Sequence, residues 1–308
     1  MNPMLSFLVT GASAGLGLAT ARELAGHGHH VVLAVRNLER GKAAAEQILQ
    51  AVPDASCELL ECDLASLASV RHAVSEFLGG DRPAVGGIIA NAGLQIVQGV
   101  QTSVDGYELT FAINHLGHFL LITRLLPHLP SGSRVISVSS QVHQGPAKSL
   151  GFPAPQWRDP RELADPTLPG IESSPRAGRV RYANSKLANI MFTYELARRA
   201  SGQGVTALAF DPALMPETGL DRQYPPLVQR AYGALAPVII ALTPGARSVA
   251  QSGRDLAWLA TSPDLAGVTG SHYSGRKPRR SSALSRQESE WVRLWERSEE
   301  LVADAAPG

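Results

Sequence analysis

Residues 5–26 read Leu5-Ser6-Phe7-Leu8-Val9-Thr10-Gly11-Ala12-Ser13-Ala14-Gly15-Leu16-Gly17-Leu18-Ala19-Thr20-Ala21-Arg22-Glu23-Leu24-Ala25-Gly26. A short apolar run, of the length of a buried strand, passes through three glycines into a segment with helical periodicity. A glycine-rich turn between strand and helix leaves unpaired backbone N–H groups at the positive end of the helix dipole, which suits a pyrophosphate. Gly11 permits the turn, Gly15 lets a phosphate approach, and Gly17 lets the helix pack on the strand. The stretch therefore predicts a dinucleotide site at Gly11, Ser13, Ala14, Gly15, Leu16 and Gly17.

The same alternation continues. Strand-like runs at 30–35, 57–62, 87–90, 134–138, 205–210 and 268–273 are separated by helical patterns at 66–78, at 106–126 and around Tyr182. Strand and helix in repetition give an α/β fold, a parallel sheet covered on both faces. After the second strand an acidic residue would bind the adenosine ribose, whereas a cation would pair with a 2′-phosphate. Here Arg36 stands in that place and Arg40 follows one helical turn later, so the expected cofactor is NADP(H).

Composition narrows the alternatives. The chain has 308 residues, 44% of them hydrophobic, enough for a substantial core; a net charge of +1 gives no field that would select nucleic acid or an anionic membrane. Two cysteines, Cys57 and Cys62, form neither a disulfide framework nor a zinc pattern, and suit a reducing cytoplasm. The first ten residues lack the form of a signal peptide, and the apolar window 235–242 is too short to span a bilayer.

Residues 144–178 carry seven prolines with Phe152 and Trp157, and residues 212–245 mix proline with apolar side chains, Met215, Tyr224 and Tyr232 among them; both segments are expected to cover a substrate site. From residue 276 a basic run, Arg276, Lys277, Arg279 and Arg280, leads into a charged helix whose Trp291, Leu294 and Trp295 would dock on the body or on another subunit. Cations without interleaved aromatics do not make a nucleic-acid motif.

Tyr182 and Lys186 are four residues apart, which stacks a phenol and an ammonium on one helix face. A phenol with a pKa of about 10 is a poor proton carrier at neutral pH, and a fixed cation would bring it toward the working range.

The ordered set Thr10-Gly11-x-x-x-Gly15-x-Gly17, Asp63-Leu64, Asn91-Ala92-Gly93, Asn114, Ser140 and Tyr182-x-x-x-Lys186 resembles the short-chain dehydrogenase/reductase family. The resemblance covers residues 5–275, one doubly wound Rossmann-type domain, and implies a parallel sheet of about seven strands and assembly as a homodimer or tetramer. Asn114-His115-Leu116-Gly117-His118-Phe119 and Ser185-Lys186-Leu187-Ala188-Asn189 look like the branch of retinol dehydrogenases and light-dependent protochlorophyllide reductases. His115 and His118 are read as structural, with no metal site expected.

The resemblance also implies roles. Tyr182 gives a proton to a carbonyl oxygen; Lys186 lowers the phenol's pKa and binds the nicotinamide ribose; Ser140 hydrogen-bonds the same oxygen, with Ser139 as the neighbouring alternative; and Asn114 holds a water beside Lys186. Asp63 and Leu64 would contact adenine, Asn91 with Ala92 and Gly93 the adenosine-ribose side, and Pro212, Leu214 and Thr218 the nicotinamide end. Leu214 stands where the protochlorophyllide reductases carry a cysteine proton donor, and Ala213 replaces a usual glycine.

The expected activity is NADPH-dependent reduction of a carbonyl on a bulky lipophilic substrate, or the reverse oxidation. Reduction of a carbon–carbon double bond and a non-catalytic NADP(H) sensor or scaffold are the rivals.

Overall fold

A computed structural model describes residues 3–149, 151–168, 171–215, 240, 243 and 245–304. Among them eight strands form one sheet in the order β3-β2-β1-β4-β5-β6-β7-β8. The strands are β1 Ser6–Thr10, β2 His30–Val35, β3 Ser56–Glu61, β4 Val85–Ala90, β5 Arg134–Val138, β6 Thr206–Asp211, β7 Ser271–Ser274 and β8 Lys277–Pro278. β1 to β7 are parallel; β8 is a two-residue antiparallel addition to the edge. The chain reverses direction across the sheet between β1 and β4, and the crevice above that switch point is where open α/β sheets bind ligands.

Two apolar cores, one on each face, account for the near-continuous hydrophobic strands. On one face Val32, Leu60 and Ile88 pack with α3 (Leu67–Gly79), α5 (Gly117–Leu125) and α7 (Pro175–Arg199). On the other, Val9, Leu33, Ile136 and Phe210 pack with α1 (Gly15–Gly26), α2 (Leu38–Ala51) and the helix Val249–Thr261.

The helix expected over 106–126 is in fact composite. It opens as α4 (Leu109–Phe111), widens into a π segment at Ala112–Leu116, resumes as α5 and tightens at Leu126–His128. The run Leu109–His128 is long and apolar enough to cross a membrane, but 83% of its most apolar window is buried inside the fold. It is a core helix of the domain.

The C-terminal helix Glu288–Asp304 docks on the body of its own chain. Trp295 stacks on Phe192 at 5.7 Å, meets Phe119 edge-on at 5.0 Å, and lies under the Arg199 guanidinium at 4.4 Å. Ser298 Oγ pairs with His115 Nε2 at 2.8 Å, so that imidazole is engaged in holding the helix.

The proline-rich segment divides. Phe152 sits edge-on to Tyr182 at 6.0 Å, whereas Trp157 turns away, donating from Nε1 to Glu290 Oε2 at 3.0 Å, and α6 (Pro160–Ala164) is tied to the C-terminal helix by Arg161–Glu300. Among the described residues of the segment, Phe152 is the aromatic that borders Tyr182. Most of 212–245, with Thr218, Tyr224 and Tyr232, lies outside the described residues.

Candidate active site

The site is assembled at the carboxyl ends of β1, β4, β5 and β6. Thr10, the last residue of β1, is the hub: its Oγ1 accepts from the backbone N–H of both Asn91 and Ala92 at 3.0 Å, and Asn91 Nδ2 donates to its carbonyl at 2.8 Å. His118 Nε2 completes the hub at 2.8 Å from Thr10 Oγ1. Burial holds the His118 imidazole neutral, its pKa pushed down to about 4, and the His115 imidazole lower still, to about 3. Asn91, expected on the ribose side, therefore has its amide nitrogen committed to β1.

The glycines meet three different demands. Gly11 (φ +65°) and Gly15 (φ +56°) occupy the left-handed region. A Cβ on Gly17 would lie 2.5 Å from Gly11 O and 2.6 Å from Asn91 Nδ2, so only hydrogen fits between helix and loop. A Cβ on Gly15 would meet nothing within 4 Å: the space above it is open, as a phosphate cradle requires. No side chain caps α1 at Ala14, which leaves its first N–H groups free to face an anion.

Arg36 and Arg40 are exposed at the start of α2, where Asn37 caps the helix by accepting from Arg40 N at 2.9 Å. Asp63 Oδ1 accepts from Ala65 N at 3.0 Å, shaping the turn after β3, and Leu64 packs beneath Gly117. These residues fit a nicotinamide dinucleotide lying across the switch point.

The catalytic candidates converge from three elements. Helix α7 begins with Ser174 accepting from Ala177 N and Pro175 in the first turn, and runs buried from Tyr182 to Thr193 between the sheet and the C-terminal helix. Ser139 Oγ donates to Lys186 O at 2.8 Å, fastening α7 to β5. That use leaves Ser140, the next residue and half-buried, as the serine available to the site. Asn114 lies in the π segment, and its side chain is clamped: Nδ2 donates to Leu94 O and Ser185 Oγ, both at 2.9 Å, and Oδ1 accepts from Leu94 N at 2.8 Å. A Cβ on Gly93 would stand 3.2 Å from Asn114 Oδ1 and 3.3 Å from Lys186 Nζ, so the absence of a side chain there keeps amide and ammonium neighbours.

A family profile described as short chain dehydrogenase matches residues 6–151. Retinol dehydrogenase 13 of Homo sapiens is 32% identical over 309 residues, covering 99% of this chain and 86% of the relative, and retinol dehydrogenase 14 of Mus musculus is 35% identical, covering 96% and 85%.

The chain belongs to the short-chain dehydrogenase/reductase family.

The WW domain-containing oxidoreductase of Gallus gallus is a further relative, 33% identical over 96% of this chain and 68% of its own length. Among solved structures, an uncharacterized protein from Mycobacterium Paratuberculosis superposes with a TM-score of 0.70 at 31% identity, covering 97% of this chain and 93% of that one. A blue fluorescent protein from a metagenomic library, solved with NADPH, gives 0.62 at 26% identity over 88% and 95%.

Within this family site two expectations need correction. The Tyr182 phenol is not lowered by Lys186 as the side chains stand: burial and, second, the Asp211 charge push it above its ordinary value. The Lys186 ammonium, 5.6 Å from the ring centroid, donates instead to Val138 O at 3.0 Å, and burial lowers its own pKa to about 8. Met215, expected on the pocket wall, is buried in the core beneath the sheet.

Ala213 takes φ +67°, the left-handed conformation of the glycine it replaces, so the loop keeps its course with a strained residue. Asp211, which no motif marks, accepts from the backbone N–H of Ala213 at 2.9 Å and from that of Gln141, joining the loops after β6 and β5. Burial raises its carboxyl to about 6. A charged residue closing an otherwise apolar strand was the available signal.

Proposed function

We propose that this short-chain dehydrogenase/reductase reduces carbonyl groups with NADPH, on bulky lipophilic substrates, and runs the reverse alcohol oxidation when product accumulates. The reading is carried by the convergence of Ser140, Tyr182, Lys186 and Asn114 beside an uncapped helix end with open space over Gly15.

NADPH, when bound, supplies the hydride. Gly11, Ser13, Ala14, Leu16 and Gly17 would cradle its pyrophosphate, and Arg36 with Arg40 its 2′-phosphate, since paired guanidiniums match phosphate oxygens. Asp63 and Leu64 would border the adenine, and Pro212 and Leu214 the nicotinamide.

The protein's own task is protonation. The Tyr182 hydroxyl, protonated at neutral pH as phenols are, donates to the carbonyl oxygen, and Ser140 Oγ donates a hydrogen bond to the same atom as negative charge builds there. Lys186, with a pKa of about 8 and therefore mostly cationic at pH 7, offsets the phenolate left behind. Asn114 keeps the π segment and α7 in register, and the free lone pair of its Oδ1 is the place for a relay water. Phe152, edge-on to Tyr182, excludes bulk solvent from the reacting atoms.

Leu214 offers no second acid, which favours a carbonyl over a carbon–carbon double bond. Free thiols at Cys57 and Cys62 suit a cytoplasmic protein, and the family's habit suits a homodimer or tetramer.

Incubation of the purified protein with NADPH and a panel of aromatic polyketones, retinal and protochlorophyllide, following loss of reduced-nicotinamide absorbance, tests this reading. Turnover of a polyketone or of retinal supports it; turnover of protochlorophyllide alone, or a preference for NADH, overturns it.

A further inference from the structure

Beyond Ser140 the chain makes two tight turns, Gln141–Gln144 and Pro146–Lys148, which place Gln144 and Lys148 opposite the segment leaving β8. Between them lies a cavity of about 400 Å³ lined by Gln144, Lys148, Arg280, Ser281, Ser282 and Arg286, with Ala283 at its edge. Among the described residues no carboxylate lines it. Lys148, Arg280 and Arg286 are exposed and form no ion pair among the described residues, whereas neighbouring cations do: Arg198 and Arg199 with Glu195, Arg276 with Asp255, and Arg293 with Glu290.

The wall of the cavity is built rather than loose. Gln144 Nε2 donates to Arg280 O at 3.5 Å, Arg286 Nε donates to Ser282 O at 3.3 Å, and buried Ser281 is held by Tyr194 at 2.7 Å and by Ser285 at 2.8 Å. Tyr194 belongs to α7, the helix of Tyr182 and Lys186, so the cationic cavity and the proton-transfer residues share one rigid support. Lys148 also lines a second cavity, of about 210 Å³, whose other walls include Gln141, next to Ser140, and Leu214. Lys148 thus lines both cavities, the larger among guanidiniums and the smaller against Gln141, the residue that follows Ser140.

We propose that the Lys148–Arg280–Arg286 cavity binds a carboxylate at the far end of the substrate, so that the natural substrate is an amphipathic keto or formyl acid. This rests on the proposed carbonyl reduction and narrows its substrate class. Guanidinium forks pair with carboxylate oxygens bidentately, and a ligand held by its acid end presents its carbonyl at a fixed distance.

The probe is 6-acetyl-2-naphthoic acid set against its methyl ester, with wild type and the double variant Arg280→Gln/Arg286→Gln. Wild type should favour the acid by roughly tenfold or more in kcat/KM, and the variant should lose that preference while keeping its rate on the ester, since one charge-assisted hydrogen bond is worth about a factor of ten. An acid-to-ester ratio that is near one in wild type, or unchanged in the variant, would overturn the proposal. If neither compound turns over, the fault lies with the carbonyl reading, and calorimetric titration of the acid decides this one. Binding weakened about tenfold in the variant upholds it; equal or undetectable binding in both proteins refutes it.

Discussion

Gly15 and Gly17 stand in one loop and serve different ends, the first ligand binding and the second the fold. Gly17→Ala forces a Cβ within 2.5 Å of Gly11 O and should lower the melting temperature sharply. Gly15→Ala meets no atom and costs only its left-handed backbone, about 1–2 kcal/mol, but it fills the space meant for a phosphate. Thermal melts with NADPH titrations of both variants check this: Gly15→Ala should stay folded and bind NADPH weakly. Asp211 makes a pH-dependent prediction. Its carboxyl is raised from 3.8 to about 6 in the fold, so the folded state holds the proton more tightly, and stability falls as pH rises through that window. Asp211→Asn should therefore stabilise the protein at pH 8, by roughly 3 kcal/mol at most, and do nothing at pH 4, as melting at the two pH values would report. These residue-level facts were only partly legible. The glycine demands follow from the strand–turn–helix pattern, but Asp211 takes its pKa from burial beside Tyr182 and two loop N–H groups that no linear pattern reveals.

At the level of elements, β2 and β5 run as the apolar pattern drew them, His30–Val35 and Arg134–Val138, because a strand buried on both faces is written as an unbroken apolar run. The two-residue β8 has no such run and was invisible. So was the π segment at Ala112–Leu116, where the side-chain contacts are long-range: the Asn114 side chain is clamped by Leu94 and Ser185, while His118 Nδ1 pairs with the Asn114 carbonyl at 3.3 Å. The tail helix could be read as amphipathic, but its partner could not. Phe119 and Phe192, far apart in sequence, make the slot for Trp295. Trp295→Ala should cost about 3–5 kcal/mol in denaturant unfolding, the usual cost of emptying an aromatic slot, and should leave the cofactor loop untouched.

For the whole molecule, the sheet order places the glycine loop, Ser140 and the Tyr182 helix around one crevice although 172 positions separate Thr10 from Tyr182. Cofactor choice is an expectation at this scale. Arg36→Gln combined with Arg40→Gln should raise the KM for NADPH by roughly tenfold or more, as removal of charge-assisted phosphate pairing implies, and leave that for NADH unchanged. Ligand identity was the least legible property. Trp157 and Met215, which suggested an apolar pocket, are drawn into the core and the tail helix, leaving Phe152 as the described aromatic beside Tyr182. Proton delivery by Tyr182 is the claim on which the rest depends, and Tyr182→Phe tests it most directly. With NADPH and the best carbonyl substrate of the panel, turnover should fall by about 10²–10⁴-fold while the NADPH dissociation constant, measured by fluorescence, stays at the wild-type value. Turnover equal to wild type with NADPH still bound would contradict it.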